Sequence, residues 1–287
     1  MLVFVGLFVV FASVIGGFSI SGGNFLALIH PAEILTIGGS SMGAMIMMCP
    51  TKVLIDLAKG ILTSLKGSPY GKKTYVELVG IFYELISVAR RDGLLALEPH
   101  LGAPKESAIF KKYPSLINNH HNLTFFCRCL GLTLNSPMDA TKFSKYMDSE
   151  LKVIHDEHHA PIGVLQKVAD ALPGFGIVAA VLGIVITMGA IDGPVEEIGH
   201  KVGAALVGTF LGILLSYGVF APLAVKLEFM ADAEMVYFKT IATIVKGFIE
   251  QLGPKDAIEL GRRGLGSDVR PSEEELTEIF AKAKSSL

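Results

Sequence analysis

The chain has 287 residues, of which 51% are hydrophobic and only 18% are charged, and its formal net charge is −2. Because a typical soluble domain carries about 25% charged residues, this composition indicates an integral membrane protein. The slightly negative charge argues against a nucleic-acid partner. Cys49, Cys127 and Cys129 are odd in number and lack zinc-site spacing, so we predict free thiols in a reducing compartment.

Two apolar segments open the chain. Residues 1–20 are long enough to cross the ~30 Å hydrocarbon layer as a helix. No basic residue precedes this run and it continues into SGGNFLALIHPAE, so we predict a retained span and not a cleaved signal peptide. A second, weaker span covers residues 32–49 and is closed by Pro50 and Thr51. Residues 1–51 thus form the predicted first transmembrane pair.

Residues 52–170 have a different, polar character, with 15 Lys/Arg and 12 Asp/Glu. The opening stretch VLIDLAKGILTSLK has the spacing of a helix that lies along a membrane surface. An amphipathic helix, TYVELVGIFYELISVARR, is stopped by Gly93. Further helical patterns cover 106–118, 121–134 and 139–159, and none of the segment alternates at period two for long. We predict an all-helical cytoplasmic domain over residues 52–170.

A second pair of apolar runs, about 172–191 and 202–225, lies in residues 171–226 and is joined by a short acidic turn. Frequent glycines, including the G-x-x-x-G step of Gly208 and Gly212, let membrane helices approach closely. Pro173 and Pro222 lie near the same side of the membrane, and each frees a backbone carbonyl. The pattern favours a hairpin that lines a conduit or a moving interface, with two ordinary lipid-packed helices as the alternative.

The tail, residues 227–287, continues the last span as a helix up to Gly253 and Pro254. A short helix, KDAIELGRRGL, follows. The final helix begins at Pro271 and Ser272, with Glu275 in the capping-box position.

Basic residues give the orientation. The 21–33 loop has none and the 192–201 loop has only Lys201, whereas the central segment and the tail are rich in them. By the positive-inside rule, both termini and the central domain are cytoplasmic. The predicted fold is an all-α integral membrane protein with four transmembrane helices and a large helical cytoplasmic domain between the second and third.

No Asp, Glu, Lys, Arg or His lies well inside any of the four apolar runs, because Glu33, Asp170, Asp192 and His200 are all at edges. A proton carrier needs a titratable group in the membrane, so another chain must supply the carboxylate if ions cross here. This chain offers backbone and the hydroxyls of Thr187, Thr209, Ser216 and Tyr217. The alternative for a membrane threonine is a hydroxyl bonded to its own helix.

Two polar clusters in the central domain need an interpretation. His155, His158 and His159 are not predicted to bind metal, because the zincin motif needs Glu after the first histidine and Asp156 stands there. Arg90 and Glu98 flank Gly93, where exposed charges either aid solubility or steer a charged partner within a Debye length of about 8 Å.

Several stretches together resemble the stator A subunits of the flagellar motor, MotA and its sodium-driven relative PomA. They are MLVFVG, GGNFLALIHPAE, ARRDGLLALE, ALPGFGIVAAVLGIV, AALVGTFLGILLSYGVFAPLA, ELGRRGL and RPS. The resemblance implies a homopentamer in the bacterial inner membrane around a dimer of a MotB/PomB-type subunit, whose helix carries the ion-binding Asp. Ion flow through this complex would drive torque on the rotor protein FliG, without catalysis, metal or cofactor.

The resemblance also implies residue roles. Pro173 and Pro222 correspond to prolines that couple ion passage to movement, and Thr209 to a hydroxyl near the ion path. Ala180 matches proton-driven members, so H⁺ is the expected ion and Na⁺ the alternative. Tyr217 belongs to the same membrane set. The predicted rotor-facing residues are Arg90, Glu98 and Glu150.

Two further interpretations compete with the motor. An energiser of the ExbB or TolQ type shares the later spans and an Asp-bearing partner helix, but has three spans and lacks the ARRDGLLALE stretch. The other is a structural or transport protein that conducts nothing.

Overall fold

The computed structural model describes residues 2–135, 138–189 and 191–285, and these residues form helices and turns without any strand. The prediction of an all-helical chain is therefore confirmed. Short 3₁₀ turns at Phe25–Leu28, Leu94–Leu97 and Phe110–Lys112 and a π turn at Ser216–Phe220 interrupt the α-helices. The α-helices are α1 Leu2–Ile20, α2 Pro31–Met48, α3 Thr51–Lys66, α4 Lys72–Asp92, α5 Glu98–Gly102, α6 Pro114–Ile117, α7 His120–Asn135, α8 Ala140–Met188, α9 Val195–Leu215, α10 Ala221–Ile249, α11 Pro254–Arg262 and α12 Glu273–Ser285.

Three helical stretches of the described chain are long and apolar enough to cross a membrane: Leu2–Ile20, Ala140–Met188 and Val195–Ile249. The last joins α9, the π turn and α10. The predicted second span, α2, is helical but is not among the three, because Glu33 and a run of glycines and serines lower its apolar content. The four-span count therefore stays a prediction.

The first compact unit comprises Met1–Gly67 and Glu157–Met230. One small core joins α3, α8 and α10 through Leu57, Leu165, Ala224 and Leu227. Another joins α2 to α8 through Ile37, Leu172 and Ala179. The amphipathic helix predicted to lie along the membrane surface, α3, belongs to this unit and buries Leu57 and Ser64.

The second unit comprises Ser68–Asp156 and Ala231–Leu287, so the central domain and most of the tail fold together. Its core is rich in aromatic rings: the Phe82 and Phe126 centroids lie 4.7 Å apart, and those of Phe125 and Phe238 lie 4.5 Å apart. α4 supplies twelve of the buried residues, which explains its strong amphipathic pattern.

Two helices differ from the prediction in segments that contain prolines. The helix expected over 106–118 is broken into a 3₁₀ turn and α6, because Tyr113 precedes Pro114 and takes φ −122°, ψ 73°, outside the helical region. In contrast, the patterns over 139–159 and 172–191 merge into one helix of 49 residues, α8, which continues through Pro161 and Pro173.

Two predicted helix ends are confirmed. Gly93 follows α4 with φ +88°, a left-handed conformation that glycine adopts without strain. At the start of α12, the Ser272 backbone N–H donates to Glu275 Oε2 at 2.7 Å, and the Glu275 N–H donates to Ser272 Oγ at 3.2 Å. This reciprocal pair is the predicted capping box.

Candidate functional site

The backbones of α8 and α9 touch where three glycines meet, and we call this place the α8–α9 crossing. A Cβ atom built on Gly212 would lie 2.7 Å from the Leu172 carbonyl oxygen and 2.9 Å from the Gly176 Cα. A Cβ atom on Gly176 would lie 2.8 Å from the Gly208 carbonyl oxygen. Only glycine permits such an approach, so the G-x-x-x-G step has the packing role expected of it.

Pro173 lies one turn from this crossing and leaves the Ala169 carbonyl without an intrahelical donor, because proline has no N–H. The Ser216 hydroxyl donates to that carbonyl at 2.7 Å. Ser216 is 1% exposed, so the bond is shielded from water. The freed carbonyl on α8 is thus bound by a side chain at the C-terminal end of α9.

The second proline follows an irregular turn. Residues Ser216–Phe220 form a π turn, in which the Ala221 N–H donates to the Ser216 carbonyl five residues back. Pro222 comes directly after it and cannot donate to the Gly218 carbonyl. Single π turns within α-helices occur frequently at functional sites, and here one precedes the proline predicted to couple ion passage to movement.

The predicted ion-path residues all lie in the first unit, and two of them lie at the α8–α9 crossing. The Ala180 backbone nitrogen is 3.3 Å from the Cβ position of Gly208, and the Thr209 Cα is 3.3 Å from that of Gly176. Ala180 and Thr209 are both half-buried. Tyr217 is 70% exposed in the single chain and points away from it.

The hydroxyl of Thr187 bonds to its own helix and is not free to act as an ion ligand. It donates to the Gly183 carbonyl of its own helix at 2.8 Å, and its residue is fully buried. The alternative of a hydroxyl bonded to its own helix is therefore confirmed for Thr187.

Glu33 is the site residue that the sequence did not reveal. It was placed at the edge of a span, yet the residue is only 9% exposed and its Cγ lies 3.4 Å from the Cβ position of Gly208. The α2 helix therefore brings a carboxyl group to the α8–α9 crossing. The signal available in the sequence was a lone acid followed by an apolar helix, which alone does not show which neighbour it meets.

Among the predicted rotor-facing residues, Arg90 has a structural partner. It is exposed at the end of α4, and its Nη2 donates to the Gln251 carbonyl at 2.7 Å and to the Leu252 carbonyl at 3.0 Å. Gln251 has φ +64°, which is unusual for a residue with a side chain. Arg90 therefore satisfies carbonyls of the strained turn after α10.

The other two rotor-facing residues differ in exposure. Glu98 is exposed as the first residue of α5, next to Leu95, which is 73% exposed. Glu150 is half-buried and accepts a hydrogen bond from Arg128 Nη1 at 3.2 Å. All three predicted residues lie in the second unit, and their role toward a rotor stays a prediction.

A buried polar cluster in the second unit was also not predicted. Glu84, 1% exposed, accepts from Lys112 Nζ at 2.7 Å and from the Tyr113 hydroxyl at 2.7 Å. Burial, followed by the Glu84 hydrogen bond, raises the pKa of Tyr113 far above its usual range. The cluster ties the broken 106–118 segment to α4, the helix that carries Arg90 in its last turn.

Two protein families match successive parts of this chain. Residues 4–93 match the motility protein A N-terminal family, and residues 119–240 match the MotA/TolQ/ExbB proton channel family. The chain is 36% identical to motility protein A of Salmonella typhimurium, over 97% of this chain and 94% of the relative. It is 35% identical to motility protein A of Escherichia coli, over 99% and 97%.

The chain belongs to the motility protein A family. It is a flagellar stator subunit with a domain of the proton channel family, and not an enzyme. Chemotaxis protein LafT of Vibrio parahaemolyticus is a further relative, 33% identical over 97% of this chain and 98% of LafT.

Two solved stator structures have the same fold. The C. jejuni MotAB structure superposes with a TM-score of 0.77 at 22% identity, covering 94% of this chain and 98% of the matched chain. The MotAB stator complex of Bacillus subtilis superposes with a TM-score of 0.75 at 25% identity, covering 96% and 98%.

Proposed function

We propose that this motility protein A relative forms, with a MotB/PomB-type subunit, a proton path through the bacterial inner membrane, and that proton flow turns the rotor. The B-type subunit supplies the membrane Asp. This partner is supported by the two structural neighbours, which are MotAB complexes. The chain itself forms the outer wall of the path.

The observation that carries the proposal is the α8–α9 crossing, where glycine contacts and one shielded hydrogen bond join α8, which contains Pro173, to α9, which is followed by the π turn before Pro222. One elementary charge that crosses 100 mV releases about 2.3 kcal/mol. Opening a buried hydrogen bond costs about 1–3 kcal/mol, so the energy from one ion is of the size needed to open the Ser216–Ala169 bond. The same energy is too small to separate the whole glycine interface, which favours small repeated movements.

The carbonyls that proline leaves without a helical donor are less available as ion ligands than the sequence suggested. The Ala169 carbonyl already accepts from Ser216, so it reaches an ion only when that bond opens. The hydroxyl of Thr209 at the crossing and the Gly218 carbonyl freed by Pro222 are further ligands that this chain offers. H⁺ is the expected ion because Ala180 matches proton-driven members, and Na⁺ is the alternative.

The assembly proposed here is a homopentamer around two B-type subunits, embedded in lipid, with both termini in the cytoplasm. In this arrangement α2 also crosses the membrane, which brings the number of spans to four. Rotor contact with FliG is assigned to Arg90, Glu98 and Glu150 of the second unit. Because Arg90 also bonds to backbone carbonyls, we expect the contact to be distributed over several weak charged groups.

The test is complementation of a bacterium that lacks stators, with the chain expressed together with a B-type subunit. We expect swimming that stops with a proton uncoupler and does not depend on sodium. Swimming that follows sodium and ignores the uncoupler would reverse the ion assignment. The lone chain in liposomes should pass no current, and a robust voltage-driven current from it would contradict the shared path.

An energiser of the ExbB or TolQ type is the less favoured function. The match of residues 4–93 to the motility protein A N-terminal family covers the predicted first transmembrane pair and the first half of the ARRDGLLALE stretch, the two features by which the motor was distinguished from that type. Failure to restore swimming, together with activity toward a periplasm-spanning partner, would favour the energiser.

A further inference from the structure

The carboxyl group of Glu33 has one oxygen that is buried without a partner. The residue is 9% exposed, and its Oε2 atom is shielded from solvent and has no hydrogen-bond partner among the described residues. Buried carboxyl groups are normally paired or hydrogen-bonded, because burial of an unpartnered charge costs several kcal/mol. Ionisable groups inside membrane segments therefore commonly mark ion or proton pathways.

The position of Glu33 adds a second reason. Its Cγ lies 3.4 Å from the Cβ position of Gly208, so the missing side chain of Gly208 makes room for the carboxyl group. The same Cβ position is 3.3 Å from the Ala180 nitrogen, and Thr209 is the next residue. Glu33 thus meets α9 at the place where the predicted ion-path residues lie.

The helices around Glu33 supply no cation to neutralise it. Residues 171–188 of α8 contain no titratable residue, and Glu33 is the only one in α2. On α9 the titratable residues are in the first two turns, where Lys201 is paired with Glu197 at 2.7 Å. The others in these two turns are Glu196 and His200. A bound proton is the species that fits an isolated carboxylate in this surrounding.

A cavity lies close to the start of α2, the helix that carries Glu33. Its volume is about 790 Å³, and its lining includes His30, which directly precedes α2, and Ala204 and Val207, on the turn of α9 before Gly208. His200 lines it as well. The His30 Nε2 is 3.1 Å from the Ala27 carbonyl oxygen. The cavity therefore borders the residues that precede Glu33 and Gly208 in the chain, while neither Glu33 nor Gly208 lines it.

We propose that Glu33 is a proton-binding site contributed by this chain, upstream of the partner's Asp. The carboxylate takes a proton from the cavity side, forming an O–H bond. That O–H bond then breaks as the proton moves toward Thr209, and the carboxylate of Glu33 is restored. This inference rests on the proposed function, because it adds a step to the same path.

The first test uses dicyclohexylcarbodiimide, which modifies protonated carboxyl groups in apolar surroundings, on the parent complex with its B-type subunit in membranes. Peptide mass spectrometry should find an adduct at Glu33 that decreases as the pH rises. The exposed acids Glu196 and Glu197 are internal controls and should stay unmodified. Absence of an adduct at Glu33 from mildly acidic to mildly alkaline pH would overturn the proposal.

The second test compares Glu33→Gln, which keeps the shape, with Glu33→Asp and with the exposed control Glu196→Gln. Co-purification with the B-type subunit measures assembly, and proton uptake into vesicles is followed against outer pH. We expect Glu33→Gln to lower uptake about tenfold, a factor equivalent to 1.36 kcal/mol, and to flatten its pH dependence. Glu33→Asp should keep the pH dependence, and Glu196→Gln should match the parent.

Unchanged uptake and pH dependence in an assembled Glu33→Gln complex would refute the site. If that variant does not assemble, the labelling of the parent complex decides. The two proposals fail differently: a parent complex that takes up no protons refutes the proposed function, whereas an active parent complex with unmodified Glu33 refutes only this site.

Discussion

Ser216 binds the carbonyl of Ala169, 47 residues earlier in the chain, with an O···O distance of 2.7 Å. That carbonyl is the one that Pro173 deprives of its helical donor. The bond therefore joins a proline interruption on α8 to the first residue of the π turn after α9. A movement at one of these two places is transmitted to the other through a single hydroxyl.

The pair can be tested by a double-mutant cycle. Ser216→Ala should destabilise the purified complex by about 1–3 kcal/mol, because it leaves a buried carbonyl unpaired. In a Pro173→Ala background the same change should cost about 1 kcal/mol less, since the new backbone N–H can bond Ala169. Thermal denaturation of the detergent-purified complex measures both. Thr187→Val, which removes a hydroxyl bonded to its own helix, is the control, and equal losses in both backgrounds would contradict the link.

The glycine contact at the α8–α9 crossing predicts that one added methyl group strongly affects stability and swimming. Gly212→Ala should reduce complex stability by about 1–3 kcal/mol and abolish swimming, because its Cβ would lie 2.7 Å from the Leu172 carbonyl oxygen. Gly203→Ala on the same helix meets nothing within 4 Å and is the matched control. Co-purification with the B-type subunit and swimming speed are the measurements. Equal behaviour of the two variants would show that the close approach of the α8 and α9 backbones is not needed for assembly or swimming.

Arg90 should contribute to folding as well as to rotation. Arg90→Ala removes the donor to the Gln251 and Leu252 carbonyls, and we expect a loss of about 1 kcal/mol together with slower swimming. Arg91→Ala, at a residue that is paired with its neighbour Asp92, is the control and should lose less stability than Arg90→Ala. Loss of all torque in Arg90→Ala, with stability, assembly and ion uptake intact, would disprove a distributed rotor contact.

Glu259 predicts a pH-dependent contribution to the stability of the tail. Hydrogen bonds from Arg262, followed by those from Arg263, lower the pKa of Glu259 to about 2. The unfolded value is about 4.3, so the stabilisation is complete above that pH and is lost as the pH falls toward 2. Glu259→Gln should therefore lower the denaturation temperature at pH 7, and the difference from the parent should shrink on acidification.

The matched control for this change is Glu250→Gln, at an exposed residue shortly before α11. Its effect should be small at every pH. A difference between parent and Glu259→Gln that grows in acid would reverse the assigned sign.

Features that depend on nearby residues were predictable from the sequence. Gly93 ends α4 because a glycine suits the left-handed turn there, and Ser272 with Glu275 caps α12 through bonds three residues apart. The all-helical organisation follows in the same way from local spacing. The merging of two predicted helices into α8 was missed because the polar 139–159 pattern and the apolar 172–191 run were interpreted as separate helices, whereas α8 continues through Pro161 and Pro173.

Features that depend on distant residues were not predictable. Arg90 donates to backbone carbonyls 161 and 162 residues later in the chain, and no sequence pattern indicates which distant carbonyls an arginine will bind. Glu33 is buried only because Gly208 of another helix makes room for it. In each case the local pattern showed a charged residue at a helix end, which usually lies in solvent.

The π turn at Ser216–Phe220 also sets the angular phase of α10. It adds about one residue per turn relative to an α-helix, which rotates later side chains by about 100°. This offset directs Ala224 and Leu227 toward Leu57 and Leu165 in the small core of the first unit. If the same residues formed a regular α-helix instead, Ala224 and Leu227 would turn away from α3 and α8 by this angle, so the extra residue of the π turn keeps the apolar face of α10 directed at this core.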